Sequence, residues 1–325
     1  DHVIDEVLVR MLSVVEAPSG KPTVDVSCHG GIVAVQRVLA CFARRGAEPV
    51  EAEQLLAGEH RSLVRTEAAG ALIHAATSLA CDTFLDQMNG ALDDALTRLP
   101  WDDARAVRQT LCALLATVPL GTALARPPSV ALVGPSNAGK STLFNAIARQ
   151  ERVIVSATPG TTRDVVRAEV AIGGLAVWLT DTAGQRESAC TIEREAMERA
   201  RAAGAGADLE VRVFDASAEE PGALAEATAR PVLTVLNKAD RGLAAWTREW
   251  RDAVPCSAVT GEGVAEVASQ IVERLVGAAG YEAGRAVVFT ARQAERLREA
   301  VGRLDEGDGA GARASVSECL GAVSS

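Results

Sequence analysis

The chain has 325 residues, 48% of them hydrophobic and 23% charged, which suits about two folded domains and excludes disorder as its general state. Its 43 acidic residues against 33 basic ones leave a net charge of −10, so broad nucleic-acid binding is not expected and any RNA contact needs a local site. With 7 scattered cysteines, no C-x-x-C pair and 4 histidines, neither a zinc centre nor a disulfide framework is expected, and a cytoplasmic location fits. No apolar run approaches the roughly 18 residues of a membrane helix, so no membrane partner is expected. The opening Asp1-His2-Val3-Ile4-Asp5 has no signal-peptide pattern, and a start without Met is what a fragment would show.

In chain order, residues 6–13 cluster apolar side chains as a strand does, and Val24-Asp25-Val26-Ser27 alternates as a second. Gly30-Gly31 opens a run to Arg44 whose Val35, Val38 and Leu39 suit a helix. From Glu51 to Ala125 the Ala/Leu-rich text predicts three or four helices, with Pro100 as a break. After the linker Arg126-Pro127-Pro128, short β-branched strands alternate with helices to about Gly277, the pattern of an α/β domain. The tail from Ala286 reads as helix again, interrupted at Gly307 to Gly311.

The chemistry is concentrated in the α/β part. A strand at Ser129 to Val133 runs into Gly134-Pro135-Ser136-Asn137-Ala138-Gly139-Lys140-Ser141, and a helix follows over Thr142 to Arg149. In this G-x-x-x-x-G-K-S loop the glycines let N–H groups turn inward toward phosphate, and the helix N-terminus adds a favourable dipole. Gly134, Asn137, Ala138, Gly139, Lys140, Ser141 and Thr142 are therefore the candidate phosphate-binding residues, with Lys140 bridging β- and γ-phosphates and Ser141 ligating Mg²⁺. Only 3 lysines, Lys21, Lys140 and Lys238, stand among the 33 basic residues. Two of them sit where a compact ammonium does what a planar guanidinium cannot.

Pro159-Gly160-Thr161-Thr162-Arg163-Asp164 is a loop offering hydroxyls, Thr162 as the second Mg²⁺ ligand, with an ordinary turn as the bland alternative. Val165 to Ile172 and Leu175 to Thr180 flank a Gly173-Gly174 hairpin, and the second strand delivers Asp181-Thr182-Ala183-Gly184. Asp181 suits a water-mediated Mg²⁺ contact, and the Gly184 N–H can approach the γ-phosphate with no Cβ in the way. Leu209 to Phe214 should be a central buried strand, yet Glu210 and Arg212 put charges on one face. Val232 to Leu236 then leads to Asn237-Lys238-Ala239-Asp240. Asp240 can accept from guanine N1–H and the 2-amino group, and adenine would leave that carboxylate unpaired at a cost of roughly 10⁴-fold. Asn237 would bond base and phosphate-loop backbone, the Lys238 stem would cover the ring, and Ser257-Ala258, after a strand over Val254 to Cys256, would give an N–H to guanine O6. GTP and GDP are the expected ligands.

With those motifs in order, the chain resembles the translation-factor-related GTPases and, more closely, the bacterial tRNA-modification GTPases called MnmE or TrmE, as a divergent member truncated at both ends. Val24 to Gly31 is similar to part of that family's N-terminal folate-binding domain, Thr66 to Leu96 to the start of its helical domain, and residues 286–304 to the helix that re-enters it. The resemblance implies a Ras-like α/β P-loop G domain (127–278) inserted into an all-α helical domain (46–126 and 279–325), after a small α+β N-terminal remnant (1–45). It implies a GTPase using Mg²⁺ and K⁺, the latter held by Asn137 with loop oxygens matching Ser156, Thr158 and Thr161, in place of an arginine finger. It assigns Glu193 to orient the attacking water, where the alternative is a solvated helix residue. Gln185, directly after D-T-A-G, stands where the family is apolar and where Ras-like proteins place their water-orienting Gln, so two catalytic schemes compete. Implied partners are a second copy of the chain, through the G domains or the N-terminal region, and an MnmG-like tRNA-modification protein. A weakly catalytic GTP-dependent dimerisation module is the rival to the enzyme. In place of the family's C-x-G-K ending the chain has Cys319-Leu320-Gly321-Ala322, and Cys319 reads as a buried helix residue rather than a reactive thiol.

Overall fold

The β-branched runs after residue 128 do assemble into one sheet. The computed structural model describes residues 3–12, 23–29, 31–50, 62–153, 166–181, 206–219, 230–277 and 282–321. Strands β3 (Ser129–Val133), β4 (Arg152–Val153), β5 (Val166–Ile172), β6 (Leu175–Asp181), β7 (Leu209–Asp215), β8 (Val232–Asn237) and β9 (Val254–Pro255) lie in the spatial order β4-β5-β6-β3-β7-β8-β9. From β6 to β9 the pairing is parallel, and β5 joins β6 antiparallel across the Gly173-Gly174 turn. Central β3 is buried along Val130 to Val133, as its uninterrupted apolar run requires in a parallel sheet covered on both faces. Helix α7 (Lys140–Gln150) packs through Leu143, Phe144 and Ile147, and helix α8 (Val264–Val276) through Val264, Val267, Ala268 and Ile271. The charges on β7 are accounted for: Arg212 Nε donates to Glu210 Oε1 at 2.6 Å, so two residues on the same strand face neutralise each other.

Between Ser62 and Arg126 there are five helices, one more than the sequence predicts: α2 (Leu63–Ile73), α3 (Ser78–Met88), α4 (Ala91–Thr97), α5 (Ala104–Leu115) and α6 (Val118–Ala125). The extra one arises because Gly90, in a left-handed conformation, separates α3 from α4 within a single Ala/Leu-rich stretch. Asp103 caps α5 by accepting from the N–H groups of Arg105 and Ala106, and Val107, Leu111 and Leu114 form its buried stripe. The near-continuous helical stretch Ala104–Ala125 is, against expectation, long and apolar enough to cross a membrane, but close to half of its most apolar part is buried inside the protein. Its apolar side chains are spent on the core.

The tail differs from its sequence reading. Helix α9 begins only at Ala291 (Ala291–Asp305), behind the capping box of Thr290 and Gln293, and residues 285–289 are not helical. Helix α10 (Gly309–Leu320) includes two of the glycines expected to interrupt it, because Asp308 caps it by accepting from the Gly311 N–H at 2.8 Å. Helices α9 and α10 close on α2, α4 and α5, so segments before and after the sheet share one continuous apolar core. Arg292 joins the two parts, donating from Nε and Nη2 to the two Glu67 oxygens at 2.7 Å each, while Gln293 Nε2 donates to Glu67 Oε2. The returning segment 284–289 is threaded between α3 and α6. Asp86 accepts from the Gly284 N–H, Gln87 bonds both the Arg285 carbonyl and the Val287 N–H, and Thr117 Oγ1 accepts from the Val288 N–H. These side chains satisfy the backbone of a segment that is buried from Val287 to Phe289 and runs without a strand partner among the described residues.

At the N-terminus β1 (Leu8–Leu12) and β2 (Thr23–Ser27) pair antiparallel, followed by α1 (Ile32–Ala43), the small α+β piece that was expected. Helix α1 buries no residue against the rest of the described chain.

Candidate functional site

The site lies where β3, β6, β7 and β8 end on the same side of the sheet. Strand β3 and helix α7 are joined by the loop 134–139, whose glycines are sterically required. Gly134 has φ +146 and a Cβ there would collide with the Val213 carbonyl oxygen of β7; Gly139 has φ +90 and a Cβ there would collide with Asn237 Nδ2. Asn137 also takes a left-handed conformation, with φ 62, which Asn tolerates better than most residues. The loop is thus pressed onto two neighbouring strands and its turn is made by residues that suit it.

Lys140, 7% exposed, donates from Nζ to the carbonyls of Gly134 at 2.9 Å and Pro135 at 2.8 Å. Burial pushes its pKa below the ordinary lysine value, and the negative charge of Asp181 opposes that shift. Asp181, 2% exposed at the end of β6, sits in register with Leu132 of β3 and so beside the phosphate loop. Ser141 and Thr142 are exposed in the first turn of α7. A hydroxyl at the helix N-terminus and a carboxylate at the adjoining strand end are hard oxygen donors, and they fit a Mg²⁺ ion carried on phosphate oxygens.

The base side is tied to the phosphate side through one residue. Asn237, 1% exposed, donates from Nδ2 to the Ala138 carbonyl at 2.9 Å, and its Oδ1 accepts from the Ala258 N–H at 3.0 Å. The phosphate-loop bond expected of Asn237 is present. The Ala258 N–H expected for guanine O6 already has this protein partner, so its first role is to fix the base loop. Ser257 is buried and its Oγ accepts from the Thr260 N–H, while its own N–H donates to the Glu262 carbonyl. Asp240 is exposed in a short 3-10 turn (Ala239–Arg241), held by the Ala239 N–H donating to the Cys256 carbonyl. Lys238, with φ 63, stretches from the end of β8 to place Nζ 2.7 Å from Asp215 Oδ2. Asp215 was not singled out by sequence. It comes beside Lys238 through the β7 to β8 register, which sets it opposite Asn237 and which no local motif announces.

Ser156, Thr158, Thr161, Thr162, Gly184, Gln185 and Glu193 lie outside the described residues. A cleft of about 620 Å³ lined by residues including Val232, Thr234, Arg251 and Arg274 sits at the opposite end of β8 from Asn237, away from this chemistry. Among the described residues no group of His, Cys, Asp and Glu forms a metal cluster, and the six described cysteines are free.

Residues 129–238 match the family model described as 50S ribosome-binding GTPase. The tRNA modification GTPase MnmE of Synechococcus sp. (strain CC9605) is 34% identical over 344 aligned positions, which cover 93% of this chain and 76% of that protein. The same-named protein of Synechococcus sp. (strain WH7803) is 32% identical, covering 83% of this chain and 68% of the relative. That of a Thermus thermophilus strain is 31% identical, covering 94% and 76%. Similarity of this extent takes in the helices on both sides of the sheet and is more than a shared nucleotide-binding module could produce: the chain belongs to the MnmE family of tRNA modification GTPases and is a GTP-hydrolysing enzyme.

Proposed function

We propose that GTP binds across the loop 134–139 and the Asn237 to Asp240 turn, and is hydrolysed there with Mg²⁺ and K⁺ as the participating cations. The observation that carries this reading is the buried Asn237 amide, which locks phosphate loop and base loop into a single unit. In it Lys140 would turn from the loop carbonyls to the β- and γ-phosphates, Ser141 and Thr162 would ligate Mg²⁺ with Asp181 reaching it through a water, and Asp240 would read guanine. Bound Mg²⁺ neutralises charge on the phosphate oxygens. Asn137, with Ser156, Thr158 and Thr161, holds K⁺; the exposed, left-handed Asn137 turn supports that role. Glu193 orients the attacking water, and Gln185 is its competitor for that task.

Phosphate release from GTP in K⁺ against Na⁺ buffer is the test. K⁺ should be faster, and Asn137→Ala should remove the difference; equal rates in both salts would discard the K⁺ site. In single turnover Glu193→Ala should slow hydrolysis by about 10²-fold with GTP binding kept, and Gln185→Ala should cost little. Tight GTP binding with no turnover in either salt would favour the regulatory dimerisation module instead. The names of the relatives support a role for this GTPase cycle in tRNA modification; a cytoplasmic location, an MnmG-like partner and a second copy of the chain belong to the same proposal. The grouping of 46–126 with 279–325 is supported by the packing of α9 and α10 on α2, α4 and α5; the boundaries of 1–45 and 127–278 are part of the proposal.

A further inference from the structure

We infer that Asp215 is a positioning residue of the nucleotide site, which fixes the Lys238 side chain in its base-covering conformation before the nucleotide arrives; this rests on the guanine-site reading above. Lys238 leaves β8 in a left-handed conformation uncommon for a residue with a side chain, and its stem passes close to Gly139, with Cε 3.9 Å from where a Cβ would stand. A lysine stem in that place is flexible, and holding it costs up to about 2 kcal/mol of rotamer entropy if it is ordered only on binding. Asp215 removes that cost in advance. Its Oδ2 accepts from Lys238 Nζ at 2.7 Å, while its Oδ1 accepts from the Ser217 N–H at 3.0 Å and from Ser217 Oγ at 2.7 Å.

The carboxylate is therefore oriented on both oxygens. Its backbone is fixed as well, since Asp215 is in register with Asn237 and the next residue, Ala216, donates its N–H to the Asn237 carbonyl. Burial raises the Asp215 pKa, but the hydrogen bonds from Lys238 and Ser217 outweigh it and hold the carboxyl below its ordinary value. The pair is about four-fifths buried on both sides, so solvent screens it less than a surface ion pair. A stem lying over a purine ring is indifferent to the 2-amino group. Asp215 thus sets the residence time of purine nucleotides, and Asp240 sets the choice of guanine.

Binding and release of GDP, IDP and ADP by the full chain test this. Asp215→Ala should weaken GDP and IDP alike, by about 10-fold each and through faster release, as loss of a charge-assisted hydrogen bond predicts. The GDP to IDP ratio should stay that of the unaltered protein, whereas Asp240→Ala should collapse it. In a Lys238→Ala background Asp215→Ala should have no further effect, because the carboxylate acts through that lysine. A merely structural Asp215 would instead add its full loss to that background, and this result would overturn the proposal. So would GDP affinity within about 2-fold of the original in Asp215→Ala. If Asp215→Ala fails to fold, Asp215→Asn, which keeps the shape and both acceptor contacts of one oxygen, should still speed release, and unchanged release would overturn the proposal. Failure of the guanine-site reading is separate: ADP would then bind the unaltered protein as tightly as GDP.

Discussion

Replacing Asn237 with Ala removes both bonds that join the two halves of the nucleotide site. The Ala138 carbonyl and the Ala258 N–H are left in places only 2% and 9% exposed, with their partner gone. A buried backbone group deprived of its partner costs about 1–3 kcal/mol, so the pair sums to about 2–6 kcal/mol, an upper bound because water can enter the vacated volume. Part of this falls on folding and part on binding, since Gly139 rests directly against the Asn237 amide and the loop loses its backstop. We expect a lower urea midpoint without nucleotide, GDP affinity reduced by at least about 10²-fold, and a smaller midpoint shift on adding GDP. Asn237→Asp separates the two bonds. It keeps an acceptor for the Ala258 N–H and turns a carboxylate oxygen on the Ala138 carbonyl, so binding should suffer while the base loop holds. An Asn237→Ala protein with the original midpoint and GDP affinity within about 3-fold would refute the idea that this amide unites the site.

Gly121→Ala should destabilise by about 1–3 kcal/mol in a thermal or urea melt, although Gly to Ala inside a helix ordinarily stabilises, because the new methyl would collide with the Val288 carbonyl and lie 2.8 Å from Phe289 Cα. Arg292→Ala should cost about 2 kcal/mol in the same assay, since it strips Glu67 of a two-pronged charged partner and frees the carbonyls of Glu318 and Cys319. Burial pushes the Cys256 thiol up to about 12 and the Cys319 thiol up to about 11. Both should stay unreactive toward a thiol reagent at pH 8 until the protein unfolds. Above pH 9, where the unfolded thiols ionise and the folded ones do not, these two sites should lower stability progressively as pH rises toward 11 and 12, which urea melts between pH 8 and pH 10.5 would register.

The nucleotide loops were readable in sequence because their residue types are dictated locally. A glycine forced to φ +146 by the Val213 carbonyl, or a lysine that must reach phosphate, leaves few substitutes, so G-x-x-x-x-G-K-S and N-K-x-D announce themselves. Asp215 did not, because its role depends on strand register: only the β7 to β8 pairing brings it beside Lys238, 23 residues later in the chain. The segment 284–289 was illegible for the same kind of reason. Its Val287, Val288 and Phe289 read as the start of a helix, but Gln87 and Thr117, supplied from far away, satisfy the backbone N–H groups of Val287 and Val288 in a non-helical path. Helix α4 was missed because a single left-handed Gly90 divides a composition uniform on both sides.

The clamp on residues 284–289 also bears on how the chain is made. Gln87 must wait for Arg285, 198 residues later, and Glu67 for Arg292 and Gln293, 225 and 226 residues later. A ribosome adding about 5–20 residues per second exposes α2 to α6 for roughly 10–45 seconds before their closing partners emerge. The sheet, by contrast, draws its described strands from residues 129–255 alone and can close while the tail is still being translated. Folding order and sequence order can therefore part company: the middle of the chain has all its described strands before the early helices meet their closing partners, and the apolar stripes of those helices are what a nascent-chain chaperone would meet in the interval.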